Sequence, residues 1–402
     1  MGVMAAAQIG KSAVLLPALC VDLGLSLPQA AWATSSLEVG TASLSFAVAW
    51  LTALAGARNA LLIGILVLTG SSIAEALVHT ASFFLASRLV ESVGYMLIVI
   101  LGPSVMAFVA DERDRDLAMV LWSTFLPIGF AFGFALSGLA VTTMTLGSVL
   151  LSWGAASIFL IVLWYYMPPS ANAINLSPTR SPRIIWIFSL SFTCFAITQV
   201  GVLVLLPTFL SSRYNTDYAD TGLITAWASA SGMLGGFVAL GFLKISPAHK
   251  SITNALRWMF AVGTVASVAS LFALFTTSGF EGSNGTRHAM ICAIAFNSFQ
   301  GLIPAVIFAR LPHVVAKYGS SDGAGLVPAN AALSQCGAVG SLVGPPLLAH
   351  VVGEFGWTAL SFAAAFFSAL SIILFFAFEA TIDRTTRGLF STKDAACPRC
   401  PD

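Results

Sequence analysis

Long apolar stretches follow one another along almost the whole chain, separated mostly by short polar breaks. A helix that crosses a lipid bilayer needs about 20 mostly apolar residues. Stretches of that kind occupy 2–20, 30–53, 60–79, 82–108, 118–140, 142–167, 184–208, 219–242, 253–276, 288–309, 325–349 and 357–380. The pattern predicts an all-α integral membrane protein with twelve transmembrane helices.

One longer polar segment divides the spans into two sets of six. The segment 168–183 contains four prolines and no apolar run, which is typical of a linker. We predict an N-terminal six-helix bundle over 1–167, a cytoplasmic linker over 168–183, a C-terminal six-helix bundle over 184–380 and an unstructured cytoplasmic tail over 381–402. The first stretch contains Lys11 and leads into further helices, so we interpret it as a spanning helix and not as a signal peptide.

The composition requires a lipid environment. Of the 402 residues, 57% are hydrophobic and 9% are charged, whereas soluble domains carry about 25% charged residues. A soluble fold of this length cannot bury so much apolar surface, but lipid tails solvate it directly. The net charge of +1 gives no sign of an acidic partner. We therefore expect a small solute and the bilayer as partners, and no nucleic acid.

Basic residues lie overwhelmingly on one side of the predicted membrane. That side holds Arg58, Arg113, Arg115, Arg180, Arg183, Lys244, Lys250, Arg257, Arg310, Lys317, Arg384, Arg387, Lys393 and Arg399. The other side has Arg213 and Arg287, while Lys11 and Arg88 fall inside spans. Because loops rich in lysine and arginine stay in the cytoplasm, both termini are predicted to be cytoplasmic. Two termini on one side require an even number of spans, which agrees with twelve.

The two sets of six spans resemble each other in sequence. The run 8–17 in the first span is similar to 199–207 in the seventh, and 31–34 in the second is similar to 226–229 in the eighth. A third match joins two G-x-x-x-G motifs, Gly129 with Gly133 and Gly340 with Gly344. Each match falls six spans apart, which places both halves in the same orientation, so the repeat is parallel.

The loop between the second and third spans carries part of a known signature. Gly56 and Arg58 match the end of G-x-x-x-D-R-x-G-R-R/K, whereas Ala53 and Leu54 replace its aspartate and first arginine. On these residues the chain resembles the major facilitator superfamily, and the resemblance extends from the first span to the twelfth. It implies the major facilitator fold, with two six-helix bundles in a parallel repeat, and it gives Gly56 and Arg58 a role in gating.

The fourth span strengthens the resemblance. Arg88 begins a run similar to the family motif R-x-x-x-G-x-G, with Ser92 in place of the first glycine and Gly94 in place of the second. In the family that arginine faces the cavity and is linked to proton coupling. The resemblance therefore implies a coupling role for Arg88.

The fifth span resembles the G-x-x-x-G-P motif of antiporters. Phe134 occupies the proline position, and the proline occurs instead in the repeat, as Pro345 after Gly344. The resemblance favours export over import. It also implies close helix packing, since glycines let two helices approach, at Gly129, Gly133, Gly340, Gly344 and Pro345.

Four ionisable residues are predicted at membrane depth, where charges are costly and mark function by default. Lys11, Glu38, Arg88 and Glu91 share one predicted layer, and their charges cancel. A buried carboxylate that loses its cationic partner as the protein rocks favours its protonated form. We interpret the four as a proton-coupling layer, with Glu91 or Glu38 as the proton carrier. The alternative is a static ion-pair cluster that only sets helix packing.

Other polar residues receive weaker assignments. Glu75 lies near the outer end of the third span and is predicted to be interfacial, facing lipid. Candidates for lining a substrate cavity are Gln8, Gln199, Asn297 and Gln300. For each of these amides, plain helix–helix hydrogen bonding is an equal alternative.

The leading interpretation is a secondary transporter that works by alternating access and exports a small solute by proton coupling. One alternative is a proton-coupled importer of a small metabolite, and another is a transporter-like sensor or assembly factor without net flux. No nucleotide-binding loop is present, so ATP drive within this chain is not expected. Short loops favour a bacterial inner membrane and a monomer.

The chain shows no motif of an enzyme. Its five histidines lie near the ends of predicted spans. Cys397 and Cys400 form a C-x-x-C pair in the polar tail, but a zinc or redox site needs a second ligand pair or a folded context. We therefore expect no catalytic residue, no metal and no cofactor.

Overall fold

The computed structural model describes residues 1–77, 80–109, 111, 122, 124–169, 171, 183–245, 249–276, 282–318 and 326–394. Within these residues the helices group into twelve spans, the number that the apolar pattern predicts, and there is no strand. The first six are α1 (Gly2–Val14, continued by Leu16–Leu23), α2 (Leu27–Ser35 and Val39–Ala55), α3 (Ala57–Glu75), α4 (Ala81–Val109), α5 (Phe125–Ala140) and α6 (Leu146–Tyr165). The last six are α7 (Arg183–Tyr214), α8 (Tyr218–Ile245), α9 (His249–Thr276), α10 (Gly282–Gln300 and Leu302–Tyr318), α11 (Leu326–Phe355) and α12 (Trp357–Asp394).

The lengths and apolar character of the helices suit a bilayer. In the described part of the chain, nine helices are long and apolar enough to cross a membrane, or ten when the two parts of α1 count as one span. Helix α5 is apolar but shorter, and a 3-10 turn, Ser36–Glu38, interrupts α2. Large side chains such as Trp50, Trp227 and Trp258 are exposed on the outside, where lipid would solvate them.

Helix α1 bends by 59° between its two parts. Pro17 lies at the start of the second part. Proline has no N–H to donate to the carbonyl four residues earlier, and its ring clashes there, so the helix kinks at this point. Lys11 therefore sits in the last turn before the bend.

The same pair of helices packs through glycine in each half. A Cβ on Gly133 of α5 would lie 2.5 Å from the carbonyl oxygen of Ala7 on α1. A Cβ on Gly344 of α11 would lie 2.6 Å from the carbonyl oxygen of Ile197 on α7. Gly129 and Gly340 make equally close contacts in the same two pairs. The α1–α5 and α7–α11 pairs are six spans apart, so the packing follows the parallel repeat seen in the sequence.

The two halves meet along α5–α8 and α2–α11. A Cβ on Gly138 of α5 would lie 2.9 Å from Cα of Gly222 on α8, so these backbones touch. Gln335 Nε2 on α11 donates to the carbonyl of Ala42 on α2 at 2.9 Å. Gly138 and Gly222 lie at the helix ends opposite the chain termini, and we call that face of the protein the distal face. The halves are thus in direct contact near the distal face.

The last helix extends further than the sequence predicts. The tail was predicted to be unstructured over 381–402, but α12 continues to Asp394, so the prediction is wrong for 381–394; no proline occurs there to stop the helix. Most of the predicted linker 168–183, together with Cys397 and Cys400, lies outside the described residues.

The glycine contact between α7 and α11 yields a stability prediction. Gly344→Ala places a methyl group against the backbone of Ile197, so we expect the free energy of unfolding to fall by about 1–3 kcal/mol. Gly353→Ala is the matched control on the same helix, because its Cβ would meet no atom within 4 Å. Thermal unfolding of the two purified variants in detergent gives the comparison. Equal unfolding temperatures would contradict the close packing of α7 on α11.

Candidate functional site

Three helices of the first half each carry two polar residues three positions apart. These pairs are Gln8 and Lys11 on α1, Ser72 and Glu75 on α3, and Arg88 and Glu91 on α4. Residues three apart lie on one face of a helix, so each pair projects in one direction. All six side chains are buried. The packing of the three helices brings the pairs to one place inside the N-terminal bundle.

Four of these residues form a closed set of ion pairs, which we call the charged quartet: Lys11, Glu75, Arg88 and Glu91. Lys11 Nζ lies 2.7 Å from Glu75 Oε2 and 3.7 Å from Glu91 Oε1. Arg88 Nη1 lies 3.4 Å from Glu75 Oε1 and pairs closely with Glu91 Oε2. Each carboxylate thus contacts both cations, and the formal charges cancel. Such pairing is what makes four charges tolerable inside a membrane protein.

Arg88 also holds the broken helix α2. Its Nε donates to the carbonyl of Ala33 at 3.3 Å, and its Nη2 donates to the carbonyl of Thr34 at 3.1 Å. These carbonyls belong to the last turn of Leu27–Ser35, just before the 3-10 turn. Carbonyls at a helix end have lost their helical partners and carry partial negative charge, so a cation is favourable there. One guanidinium therefore links α4 to α2 and to the quartet.

A chain of hydrogen bonds extends the quartet through the bundle. Lys11 Nζ donates to Ser72 Oγ at 2.8 Å, and Ser72 Oγ donates to Gln8 Oε1 at 3.3 Å. Gln8 Nε2 then donates to Ser157 Oγ on α6 at 3.0 Å. Gln8 was predicted to line a substrate cavity, and the structure places it wholly buried in this network. The sequence analysis missed Ser72 and Ser157.

Glu75 requires a correction. It was predicted to be interfacial and to face lipid, but its side chain has no exposed surface and it pairs with Lys11 and Arg88. Without Glu75 the buried set would hold two cations and one carboxylate, leaving a net charge in the interior of the bundle, which is costly. The sequence feature that could have identified Glu75 is its spacing of three residues from Ser72, which repeats the spacing of the polar pairs on α1 and α4.

Glu38 lies apart from the quartet. It ends the 3-10 turn of α2, and its Oε1 accepts a hydrogen bond from the Tyr95 hydroxyl at 2.9 Å. Both side chains are buried, and no ion pair to Glu38 occurs among the described residues. The structure therefore brings together Lys11, Arg88 and Glu91 of the predicted layer and adds Glu75, while Glu38 forms a separate acid–phenol pair.

The second half carries amides in place of charges at this position. Gln199 Nε2 on α7 donates to Asn297 Oδ1 on α10 at 2.9 Å, and Asn297 Nδ2 donates to the carbonyl of Ala293. Gln300 is buried one turn further along α10. Within the described residues, Oε1 of Gln199 and Oε1 of Gln300 are buried without a hydrogen-bond partner. Unpaired buried acceptors are costly, so these two oxygens are available to a further hydrogen-bond donor.

Gly56 and Arg58, the residues that match the family signature between α2 and α3, make contacts inside the first half. Gly56 has φ +78°, a conformation that favours glycine, and it separates α2 from α3. The Arg58 guanidinium lies 4.2 Å from the ring centroid of Trp164 on α6, and Trp164 Nε1 donates to the Arg58 carbonyl at 2.8 Å. These described contacts tie α3 to α6.

A second buried ion cluster lies at the ends of the C-terminal helices opposite the distal face, which we call the proximal ends. It was not predicted from the sequence. Glu379 on α12 is buried and accepts hydrogen bonds from Arg257 on α9 and Arg310 on α10. The Arg310 contacts are 2.8 Å and 2.7 Å. Glu379 lies at the end of a predicted span, on the side rich in basic residues, which was the available signal.

Comparison with known proteins places these features in a family. The family model of the Major Facilitator Superfamily matches residues 1–327. The methyl viologen resistance protein SmvA of Salmonella typhimurium is 24% identical over 323 residues, which cover 78% of this chain and 59% of that protein. The chain thus spans about three-fifths of the length of this relative.

Solved structures with the same fold are transporters. The structure of the nucleoside transporter NupG covers 95% of this chain and 96% of its own at a TM-score of 0.68 and 16% identity. An inward-facing, unoccupied bacterial homologue of the human lysosomal transporter Spinster covers 94% of both chains at a TM-score of 0.62 and 14% identity. These likenesses confirm the predicted twelve-helix fold.

The contacts of Arg88 predict that a positive charge alone at this position is not sufficient to keep the protein stable. Arg88→Lys keeps the charge but cannot reproduce the forked contacts to the quartet and to the carbonyls of α2. We expect the free energy of unfolding to fall by about 2–5 kcal/mol, because buried acceptors lose their partner. The control is Arg213→Lys, at an exposed arginine on α7. Thermal unfolding in detergent measures both variants, and wild-type stability of Arg88→Lys would show that the fork is dispensable.

Proposed function

Because this chain belongs to the major facilitator superfamily, we propose that it is a secondary active transporter that exports a small solute in exchange for protons. The observation that carries the proposal is the charged quartet, in which two buried carboxylates share two buried cations. The family is one of transporters and not of enzymes, and the chain is an integral membrane protein. Direction and coupling ion are the parts proposed here.

The quartet suits reversible proton binding. A proton on Glu75 or Glu91 removes one negative charge and leaves both cations facing the other carboxylate. At each carboxylate, ion pairing favours the charged form and desolvation favours the protonated form. A small movement of either cation therefore changes which form is favoured. Alternating access supplies such a movement. A static cluster, in contrast, would keep one protonation state throughout.

Arg88 gives proton binding a mechanical consequence. The same guanidinium contacts Glu91, Glu75 and the carbonyls before the break in α2. Helix α2 packs on α11 of the other half, where Gln335 donates to Ala42. We propose that protonation weakens the hold of the quartet on Arg88 and thereby changes how α2 sits against α11. Proton binding and the contact between the halves are then coupled through one side chain.

Export is supported by one relative and by two motifs. SmvA is named for resistance to methyl viologen, and a transporter confers resistance by moving a compound outward. The fifth-span glycines and Arg88 resemble elements of antiporters. We further propose that the solute binds between the halves against the amides Gln199, Asn297 and Gln300, and that Glu38 is a second protonatable site.

The proposal includes an orientation and a setting. The bias of lysine and arginine supports cytoplasmic termini, so the distal face would be external. We propose that the protein acts as a monomer in a bacterial inner membrane.

The coupling test uses everted membrane vesicles and a panel of small solutes that includes methyl viologen. We expect the wild-type protein to release protons when a transported solute is added. In Glu75→Gln and Glu91→Gln the release falls to the level of vesicles without the protein, because an amide cannot take up a proton. The control is Glu354→Gln, at an exposed position, which should release protons as the wild type does.

Three outcomes separate the alternatives. Proton release that persists in both quartet variants would overturn the quartet as the coupling site and direct attention to Glu38. Solute uptake into right-side-out vesicles, driven by protons, would show an importer. Binding of a panel solute to the purified protein without flux in either vesicle type would show a sensor. Folded protein in each variant is verified by size-exclusion chromatography.

A further inference from the structure

A cavity opens inside the N-terminal bundle. Its volume is about 270 Å³, and its wall is formed by α1, α3, α4 and α6. The wall includes Asp22, Glu75, Ala76, Phe84 and Gly147. All of them lie at the helix ends that face the distal side. The cavity is therefore lined by residues of the N-terminal bundle.

The bend in α1 accounts for the cavity. Pro17 turns the second part of the helix by 59° relative to the first. Leu19, Asp22 and Leu23 on this part form one side of the cavity, while the ends of α3 and α6 form the other. A straight α1 would continue along its original axis, so the kink gives this recess its shape.

The cavity wall contains both an exposed carboxylate, Asp22, and a buried one, Glu75. Asp22 is exposed on the distal side. Glu75 has no exposed side-chain surface, yet it lies in the same wall. Beyond it, Lys11, Arg88 and Glu91 are the charged groups that face Glu75 from α1 and α4. A space of this volume holds several water molecules, and carboxylates provide the polar partners that buried water needs.

We propose that this cavity is the route by which protons from the distal side reach the charged quartet, with Asp22 collecting them at its mouth and Glu75 receiving them. The inference rests on the proposed proton coupling and adds a path and a residue to it. A hydronium ion at the mouth gives a proton to Asp22 or to water in the cavity. The proton ends as an O–H bond on a Glu75 oxygen, and one water molecule remains behind.

The contact between α5 and α8 near the distal face favours a separate path for protons. Gly138 and Gly222 touch near the distal face, so α5 and α8 are in direct contact there. A proton that enters through the N-terminal bundle does not have to wait for those helices to separate. Solute and proton would then use different routes to the same transporter, which keeps the solute path closed while the quartet is loaded.

The first experiment blocks the cavity with a bulky thiol reagent. Ala76→Cys is made in protein whose native cysteines are replaced, labelled in detergent and reconstituted into liposomes. After a jump of the external pH, time-resolved infrared absorbance of protonated carboxyl groups reports loading of the quartet. Labelling should abolish the rapid signal. The control is Leu77→Cys, the next residue, which is exposed and absent from the cavity wall, and its label should leave the signal intact.

The second experiment tests Asp22 as a proton collector. Asp22→Asn should slow the infrared signal by about tenfold in weak buffer, since a surface carboxylate raises the local concentration of cations. A high concentration of imidazole should restore the rate, because a mobile buffer replaces a collecting residue but not a structural one. Glu354→Gln, another exposed distal carboxylate, should behave as the wild type.

The failures of the two proposals are distinguishable. If the unlabelled protein gives no carboxyl signal that is lost in Glu75→Gln and Glu91→Gln, proton coupling at the quartet is overturned and this route with it. If that signal exists but is the same after labelling of Ala76→Cys, only the route is overturned. A slow Asp22→Asn signal that imidazole does not restore would remove Asp22 from the path.

Discussion

The need to pair buried cations governs this protein. Lys11 and Arg88 have no exposed surface, and an unpaired charge inside a membrane protein is costly. Glu75 on α3 and Glu91 on α4 pair with these cations. The pairing constrains how α1, α3 and α4 rotate and pack. Arg88 extends the constraint to α2, because its remaining N–H groups satisfy carbonyls at the break in that helix. The arrangement of four helices thus follows from two side chains.

The two halves share a scaffold but not a chemistry. Glycines pack α1 on α5 and α7 on α11 in the same way, so the repeat preserves the contacts that helices need in order to approach. The first half places a neutral set of four charges in its interior, whereas the second half places the amides Gln199 and Asn297 there. Its buried charges lie instead around Glu379 near the proximal ends. The proposed proton site and the proposed solute site therefore lie in different halves.

The kink in α1 lies next to both the charged quartet and the cavity. Pro17 ends the straight part of the helix just beyond Lys11, and the turned segment makes room for the cavity that Asp22 and Glu75 line. Helices that cross a membrane tolerate such breaks where other groups satisfy the freed backbone. In α2 those groups include Arg88. The broken helices are thus the elements in which the ionic network and the backbone depend on each other.

The amino-acid sequence by itself determined the class of fold, the number of spans and the parallel repeat, because apolar length and residue spacing are properties of each segment alone. It also singled out Lys11, Arg88 and Glu91, since a charge within an apolar run is visible without a structure. Only the tertiary structure decided that Glu75 completes the quartet while Glu38 pairs with Tyr95. Which carboxylate meets which cation depends on the rotation and bending of helices distant in sequence, which local sequence patterns do not specify.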